Sequence, residues 1–414
     1  MLVFYLFAAL LLWLGIVSLR GGMRYLAYVR REILKDNSDF APFASVIAPC
    51  RGLDQGLRAN IAALFKQQYP AYEIIFVFDR PDDPALAVVE EVRRELEPGS
   101  KIMTRVLFAG SASASGQKVH NLRAAIAQAD PASDVFVFVD TDARPGSNWL
   151  ASLVAPLADE RIGAATGYRW FIPVAGGFAS RLRAVWNASI ASALGSDSDK
   201  NFCWGGSTAI RRATFERLNM LEEWRGTLSD DFTMTRTLRR ARLPIYFVPR
   251  CLIASHEDCG FRELLEFTTR QMKITRVYAP HLWKAALLGS LLFTLVFFGG
   301  IVLVVARAAL GLSFIVPLAL LSTVYLLGVW KAWLRLRAVS LPLAPHVAEL
   351  RRDFPAQLLL WPLASALYLH NTLSAAFSRH IAWRGITYEL KSPTETVIIS
   401  DQQSAISGQL KEIE

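Results

Sequence analysis

The sequence predicts an α/β domain with a mostly parallel sheet, held between apolar segments at the two ends of the chain. Three observations lead there. Long uncharged apolar runs occupy both ends while the charges gather in the middle. The middle alternates short β-rich runs with helical periodicity, and those β-rich runs end in polar residues. With 414 residues, 53% of them hydrophobic, the chain can hold one sizeable globular domain plus several membrane segments. A mean hydropathy of +0.29 excludes an ordinary soluble enzyme.

Residues 2–19 carry no charge and approach the roughly 20 residues needed to cross a hydrocarbon core. An anchor (residues 1–20) is favoured over a cleaved signal peptide, because no basic residue precedes the run and no small-residue cleavage site follows it. Arg20, Arg24, Arg30 and Arg31 come after it, which places the following residues in the cytosol. Residues 44–280 form the α/β domain, with buried parallel strands at 45–48, 73–78 and 134–139 and helical stretches at 56–68, 84–96 and 118–129. Two further spans follow at 285–306 and 308–334, within a hairpin of 284–334 that turns around Arg307. Residues 335–392 include an apolar stretch, 354–377, interrupted by Pro362, His370 and Asn371. It reads as interfacial or re-entrant rather than as a full crossing. Residues 393–414 read as a polar, disordered tail.

The net charge of +9 sits largely beside the apolar runs, where it reads as positive-inside anchoring rather than as a nucleic-acid surface. Nucleic acid is therefore not an expected partner. Cys50, Cys203, Cys251 and Cys259 include no C-x-x-C pair and no metal-ligand spacing, which suits a reducing compartment.

In open α/β sheets ligands bind beyond the carboxyl ends of the strands. Here those ends carry Pro49-Cys50-Arg51-Gly52, Asp79-Arg80-Pro81-Asp82-Asp83 and Asp140-Thr141-Asp142. Two carboxylates directly after an apolar strand suit Mg²⁺ or Mn²⁺ carrying a diphosphate, although a solvated acidic turn has the same composition. A second pair, Asp230-Asp231, opens a helix, where Asp230 is read as the cap and Asp231 as the residue facing the crevice. A carboxylate beside a bound sugar is what an inverting transfer needs to deprotonate the acceptor.

Taken together, Asp79, Asp140-Thr141-Asp142 and Asp230-Asp231 resemble the GT-A fold of the family-two inverting glycosyltransferases, and more narrowly their ceramide glucosyltransferase-like branch. Gln117-Lys118-Val119-His120-Asn121-Leu122, Phe202-Cys203-Trp204-Gly205-Gly206-Ser207 and Trp383-Arg384-Gly385 with Tyr388 match further motifs of that branch. The resemblance covers about residues 45–390. It implies that Asp79 binds a uridine base, that Asp140 and Asp142 hold the ribose and metal-diphosphate, and that Asp231 is the catalytic base. Pro49, Arg51 and Lys118 fall on the donor side, and Trp204, Gly205, Gly206 and Asp230 on the acceptor side. The (Q/R)-x-x-R-W motif of such enzymes is altered here to Arg270-Gln271-Met272-Lys273-Ile274. Lys273 keeps a positive charge for the leaving group but loses the bidentate fork, and Ile274 cannot stack on a ring. Arg276 is the nearby candidate to replace that guanidinium.

The expected activity is transfer of a hexose, with UDP-glucose as favoured donor, to the hydroxyl of ceramide or a related lipid by an integral membrane protein. A processive polysaccharide synthase would want more spans and an intact Q-x-x-R-W. A non-catalytic scaffold would have no use for Asp142 and Asp231.

Overall fold

The structure is a computed structural model and describes residues 1–35, 38–99 and 102–401. The chain divides into two compact units, one made of residues 34–170, 196–256 and 379–414, the other of residues 1–33, 171–195 and 257–378.

The first unit is built on a seven-stranded sheet: β1 (Ala44–Pro49), β2 (Tyr72–Phe78), β3 (Met103–Phe108), β4 (Val135–Val139), β5 (Ala164–Ile172), β6 (Ser207–Arg211) and β7 (Ile245–His256). They lie in the order β3-β2-β1-β4-β6-β5-β7. The pairs β3-β2, β2-β1 and β1-β4 are parallel, while β6 runs antiparallel to both β4 and β5. Helices Leu57–Leu64, Pro84–Leu96 and Gln117–Ala127 make the crossovers, in the three stretches where helical periodicity was read. Asp83 caps the second of these, its carboxylate accepting the Ala85 N–H at 2.9 Å with proline at the first helical position.

Buried along their length, β1, β2 and β4 are near-continuous apolar runs rather than alternating ones, broken by Ser45 and Glu73, which hydrogen-bond each other at 2.6 Å. Phe138 is packed against Phe215 and Trp224 in the central cluster. Truncating it to alanine should cost about 3–5 kcal/mol. The sequence reading missed β3, a partly exposed edge strand whose Thr104 and Arg105 disguise its apolar content.

A second, three-stranded antiparallel sheet completes this unit: β8 (His380–Trp383), β9 (Ile386–Ser392) and β10 (Glu395–Asp401). This corrects the expectation of disorder from residue 393. Polar composition suggests a tail, but β10 pairs along β9 from Glu395 to Asp401, with two register shifts. Residues 402–414 of that expected tail lie outside the described residues.

The other unit is helical. Leu2–Ile33, Pro280–Ala309 and Ile315–Val339 are long and apolar enough to cross a membrane. Many of their large apolar side chains, such as Trp13, Leu295 and Val302, face outward, as lipid contact requires. Gly15 and Gly22 let the first helix approach the third, since a Cβ at Gly15 would stand 3.1 Å from Leu327. The hairpin does not turn at Arg307, which remains helical. It turns beyond Ala309, where Gly311 adopts φ +67° and the Leu312 N–H returns to the Arg307 carbonyl at 2.8 Å. The shorter helices Phe178–Ala191, Phe261–Tyr278 and Trp361–Phe377 share an apolar cluster in which Trp186 stacks on Tyr368 at 4.8 Å.

Candidate functional site

The carboxyl ends of β1, β2 and β4 share one edge of the sheet because those strands are adjacent and parallel. Each delivers charged residues there. After β2, Asp79 is buried and its Oδ2 pairs with the Arg51 Nη1 that follows β1. Arg51 also donates to Asp401 Oδ1 at 3.1 Å and to the Arg384 carbonyl at 2.9 Å. Asp79 Oδ1 is buried with no hydrogen-bond partner among the described residues. Burial pushes its carboxyl up, against the pull of Arg51.

After β4, Asp140 Oδ1 accepts Lys118 Nζ at 2.7 Å, and its Oδ2 accepts Arg169 Nη2 at 3.3 Å. The same guanidinium donates through Nη1 to Asp142 Oδ2 at 3.0 Å. Burial alone would raise the Asp140 carboxyl, but Lys118 and Arg169 outweigh it and hold it below the usual range. Thr141, between the two, donates to Asp54 Oδ2 at 3.0 Å, and Asp54 Oδ1 accepts Arg384 Nη2 at 2.7 Å. The W-R-G motif is thereby tied to the D-T-D turn. Nearby, the Gln117 N–H donates to Tyr388 Oη at 3.2 Å.

Lys118 joins the two acidic pairs, since its Nζ also lies 3.4 Å from Asp230 Oδ1. Burial opposes its charge, yet Asp140, Asp230 and Asp231 together hold it well above the ordinary lysine value. Asp230 is 5% exposed. Its carboxyl is pushed up to about 6 by burial, with Lys118 pulling down and Asp231 and Asp140 adding upward pressure. A Cβ at Gly205 would stand 2.6 Å from Lys118 Nζ, which explains glycine there. Gly206 is similarly held close to the Trp204 ring.

The helix Asp230–Arg240 is capped by Ser229, whose Oγ accepts the Phe232 N–H at 3.4 Å. This corrects the reading of Asp230 as the cap. The S-D-D sequence offers three capping side chains, and the buried Lys118 draws Asp230 inward instead. Asp231 is half-buried. Its Oδ1 accepts Ser229 Oγ and the Phe232 N–H (2.7 Å), and its Oδ2 accepts the Gly205 N–H at 3.4 Å.

The unit with the sheet thus brings together Arg51 with Asp79, and Lys118 with Asp140, Asp142, Asp230, Asp231 and Gly205. Pro49 ends β1, and Trp204 lies under Arg169, whose guanidinium carbon is 4.8 Å from the ring centroid. Arg270 and Lys273 belong to the helical unit, on Phe261–Tyr278. There Arg270 lies over Phe267 at 5.6 Å, and Lys273 Nζ lies 3.5 Å from Ser378 Oγ, its pKa lowered by burial. Arg276, the candidate replacement, donates to the Ala375 carbonyl at 2.5 Å and packs over Trp283, so it is engaged in helix packing.

Sequence reasoning missed Arg169, Asp54 and Asp401. Arg169 had a readable signal, being the single charge in the apolar strand Ala164–Ile172. Asp54 and Asp401 had none, because the arginines they meet, Arg384 and Arg51, lie 330 and 350 residues away.

The model of "Glycosyl transferase family 21" matches residues 10–396. The chain belongs to that family. It is therefore a glycosyltransferase, and its similarity extends to "Ceramide glucosyltransferase 3" of Caenorhabditis elegans, 29% identical over 124 residues, covering 29% of this chain and 26% of the relative. "Ceramide glucosyltransferase 1" of the same organism is 33% identical over 81 residues, 20% of this chain and 17% of the relative. The chain thus spans about a quarter or less of the curated relatives it matches. Among solved structures, a mannosyltransferase from Pyrobaculum calidifontis in complex with GDP-Man and Mn²⁺ aligns over 90% of this chain and 98% of its own, at 18% identity and a TM-score of 0.47.

Proposed function

We propose that this family 21 glycosyltransferase transfers a hexose from a UDP-sugar, UDP-glucose in first place, to the hydroxyl of a membrane lipid such as ceramide, with inversion at the anomeric carbon. The observation that carries it is the concentration of Asp79, Asp140, Asp142, Asp230 and Asp231 around Lys118 and Arg51 at one edge of the sheet. Similarity to ceramide glucosyltransferases and three apolar helices support the lipid acceptor. On this reading the enzyme is integral to the membrane, the bacterial inner membrane or its equivalent. The arginines after residue 19 support a cytosolic sheet unit, and residues 354–377 are read as interfacial or re-entrant.

Asp79, with a free buried oxygen, is matched to an N–H of the uracil base. The residues also fit a divalent cation. Asp140 and Asp142 offer hard oxygen donors, and Asp142 Oδ1 is buried without a hydrogen-bond partner among the described residues. These two would hold Mg²⁺ or Mn²⁺, whose charge would neutralise the departing diphosphate. Lys118 keeps Asp140 ionised and adds positive charge at that edge. Asp231 takes the acceptor hydroxyl proton, most readily on Oδ2, while the acceptor oxygen bonds to the anomeric carbon and the bond to the diphosphate oxygen breaks. Trp204, Gly205 and Gly206 form the acceptor wall. Arg270 and Lys273 are assigned to the leaving group on the resemblance alone.

Purified protein supplied with labelled UDP-glucose, UDP-galactose, UDP-N-acetylglucosamine and GDP-mannose, together with ceramide and diacylglycerol, tests the reading. A β-linked glucosyl lipid with release of UDP is expected. Labelled product from GDP-mannose alone, or a product that retains the donor's anomeric configuration, would sink it.

A further inference from the structure

One guanidinium, that of Arg169, touches the Oδ2 atoms of both Asp140 and Asp142, at 3.3 and 3.0 Å. These are the carboxylates that the proposed function assigns to a divalent cation, and the present inference rests on that reading. Two carboxylates so close would repel each other if left bare. Arg169 bridges both, and Lys118, which is shared with Asp230, adds a second positive charge at Asp140. A divalent cation shared by the two carboxylates would compete for oxygens that these two bases now hold, so one of the two bases must give way.

Lys118 is poorly placed to move, because it also serves Asp230 and is boxed in by Gly205. Arg169 has somewhere to go. It projects from β5 and already lies over the Trp204 indole, a surface along which a planar, weakly hydrated guanidinium can slide. We propose that Arg169 is a built-in counter-ion. It holds Asp140 and Asp142 together in the donor-free enzyme, yields them to the cation, and swings along Trp204 to pair with the diphosphate that arrives with it. The diphosphate offers oxygens that suit the bidentate fork. Arg169 is then a positioning residue before donor binding and a donor contact after it.

The test measures binding, not turnover, on the full-length detergent-solubilised protein. Mn²⁺ alone is titrated and the free ion followed by electron paramagnetic resonance; UDP is then titrated in saturating Mn²⁺. Arg169→Met should bind Mn²⁺ alone about fivefold or more tightly than wild type, since nothing then competes for the carboxylates, and should bind UDP about fivefold or more weakly. Arg169→Lys, which keeps the charge without the fork, should fall between on both measures and serves if the methionine variant does not fold. Unchanged or weaker Mn²⁺ binding in Arg169→Met, or wild-type behaviour of Arg169→Lys on both measures, overturns the proposal. Asp142→Asn distinguishes the two levels of inference. If it abolishes Mn²⁺ binding while Arg169→Met changes nothing, the role of Arg169 alone falls. If it binds Mn²⁺ like wild type, the metal reading falls and this inference with it.

Discussion

Asp140 and Asp142 share a guanidinium and, at Asp140, an ammonium as well, whereas Asp230 and Asp231 have only the far side of that ammonium between them. The surplus of positive charge keeps Asp140 ionised. Its scarcity lets burial raise the Asp230 carboxyl to about 6. Identical side chains are thereby given opposite shifts, Asp140 held as an anion and Asp230 able to exchange a proton near neutrality. Within the second pair a further division appears. Asp230 is enclosed, while Asp231 sits at a helix start with Oδ2 the less engaged oxygen.

The largest effect that can break this comparison is kinetic. Asp231→Asn should retain UDP-sugar binding and lose transfer by about 10²-fold to 10⁴-fold. Asp230→Asn should lose far less, because Lys118 keeps its shorter bond to Asp140. Rates and donor affinities of both variants decide it: an equal loss, or a greater one in Asp230→Asn, moves the base to Asp230.

A smaller effect concerns stability. A carboxyl whose pKa is higher folded than unfolded favours the fold most below its unfolded value, near 3.8, and loses that contribution as pH rises through about 6. The Asp230 contribution should therefore fall by on the order of 2–3 kcal/mol across that window. Melting temperatures between about pH 4.5 and about pH 7.5 should show a downward slope with pH that Asp230→Asn removes. A variant with an unchanged slope would mean that Asp230 does not bind its proton more tightly in the fold.

The smallest effect is at Ser229. Replacing an N-cap serine by alanine ordinarily costs about 0.5–2 kcal/mol. Here the Phe232 N–H keeps its 2.7 Å bond to Asp231, so the low end is expected. Chemical denaturation of Ser229→Ala reads this directly, and a loss above about 2 kcal/mol would mean that Asp231 does not share the cap.

Much of this arrangement was legible in the sequence for a simple reason: a parallel strand displays itself as an apolar run, and its end marks the crevice. Asp79 and Asp140-Thr141-Asp142 follow from that rule, while the three crossover helices follow from their helical periodicity. What could not be read were relations between distant residues. Asp54 lies in a short loop with nothing to mark it until Arg384, far along the chain, is seen to meet it. The S-D-D stretch failed differently, because three residues could cap one helix and only the position of Lys118 shows which was drawn inward. In β10 composition misled, since the short apolar run Val397-Ile398-Ile399 sits between polar residues and is easily taken for part of a polar tail.

The three-stranded sheet that carries Arg384 and Asp401 has a consequence for the order in which the enzyme is made. A ribosome releases those residues only after every apolar helix has left it. A nascent chain halted before residue 380 already possesses Asp79, Asp140, Asp142 and Lys118, yet its Arg51 and Asp54 have no Asp401 or Arg384 to meet. The contacts that hold Arg51 and Asp54 from the far end of the chain are therefore complete only after synthesis has passed Asp401.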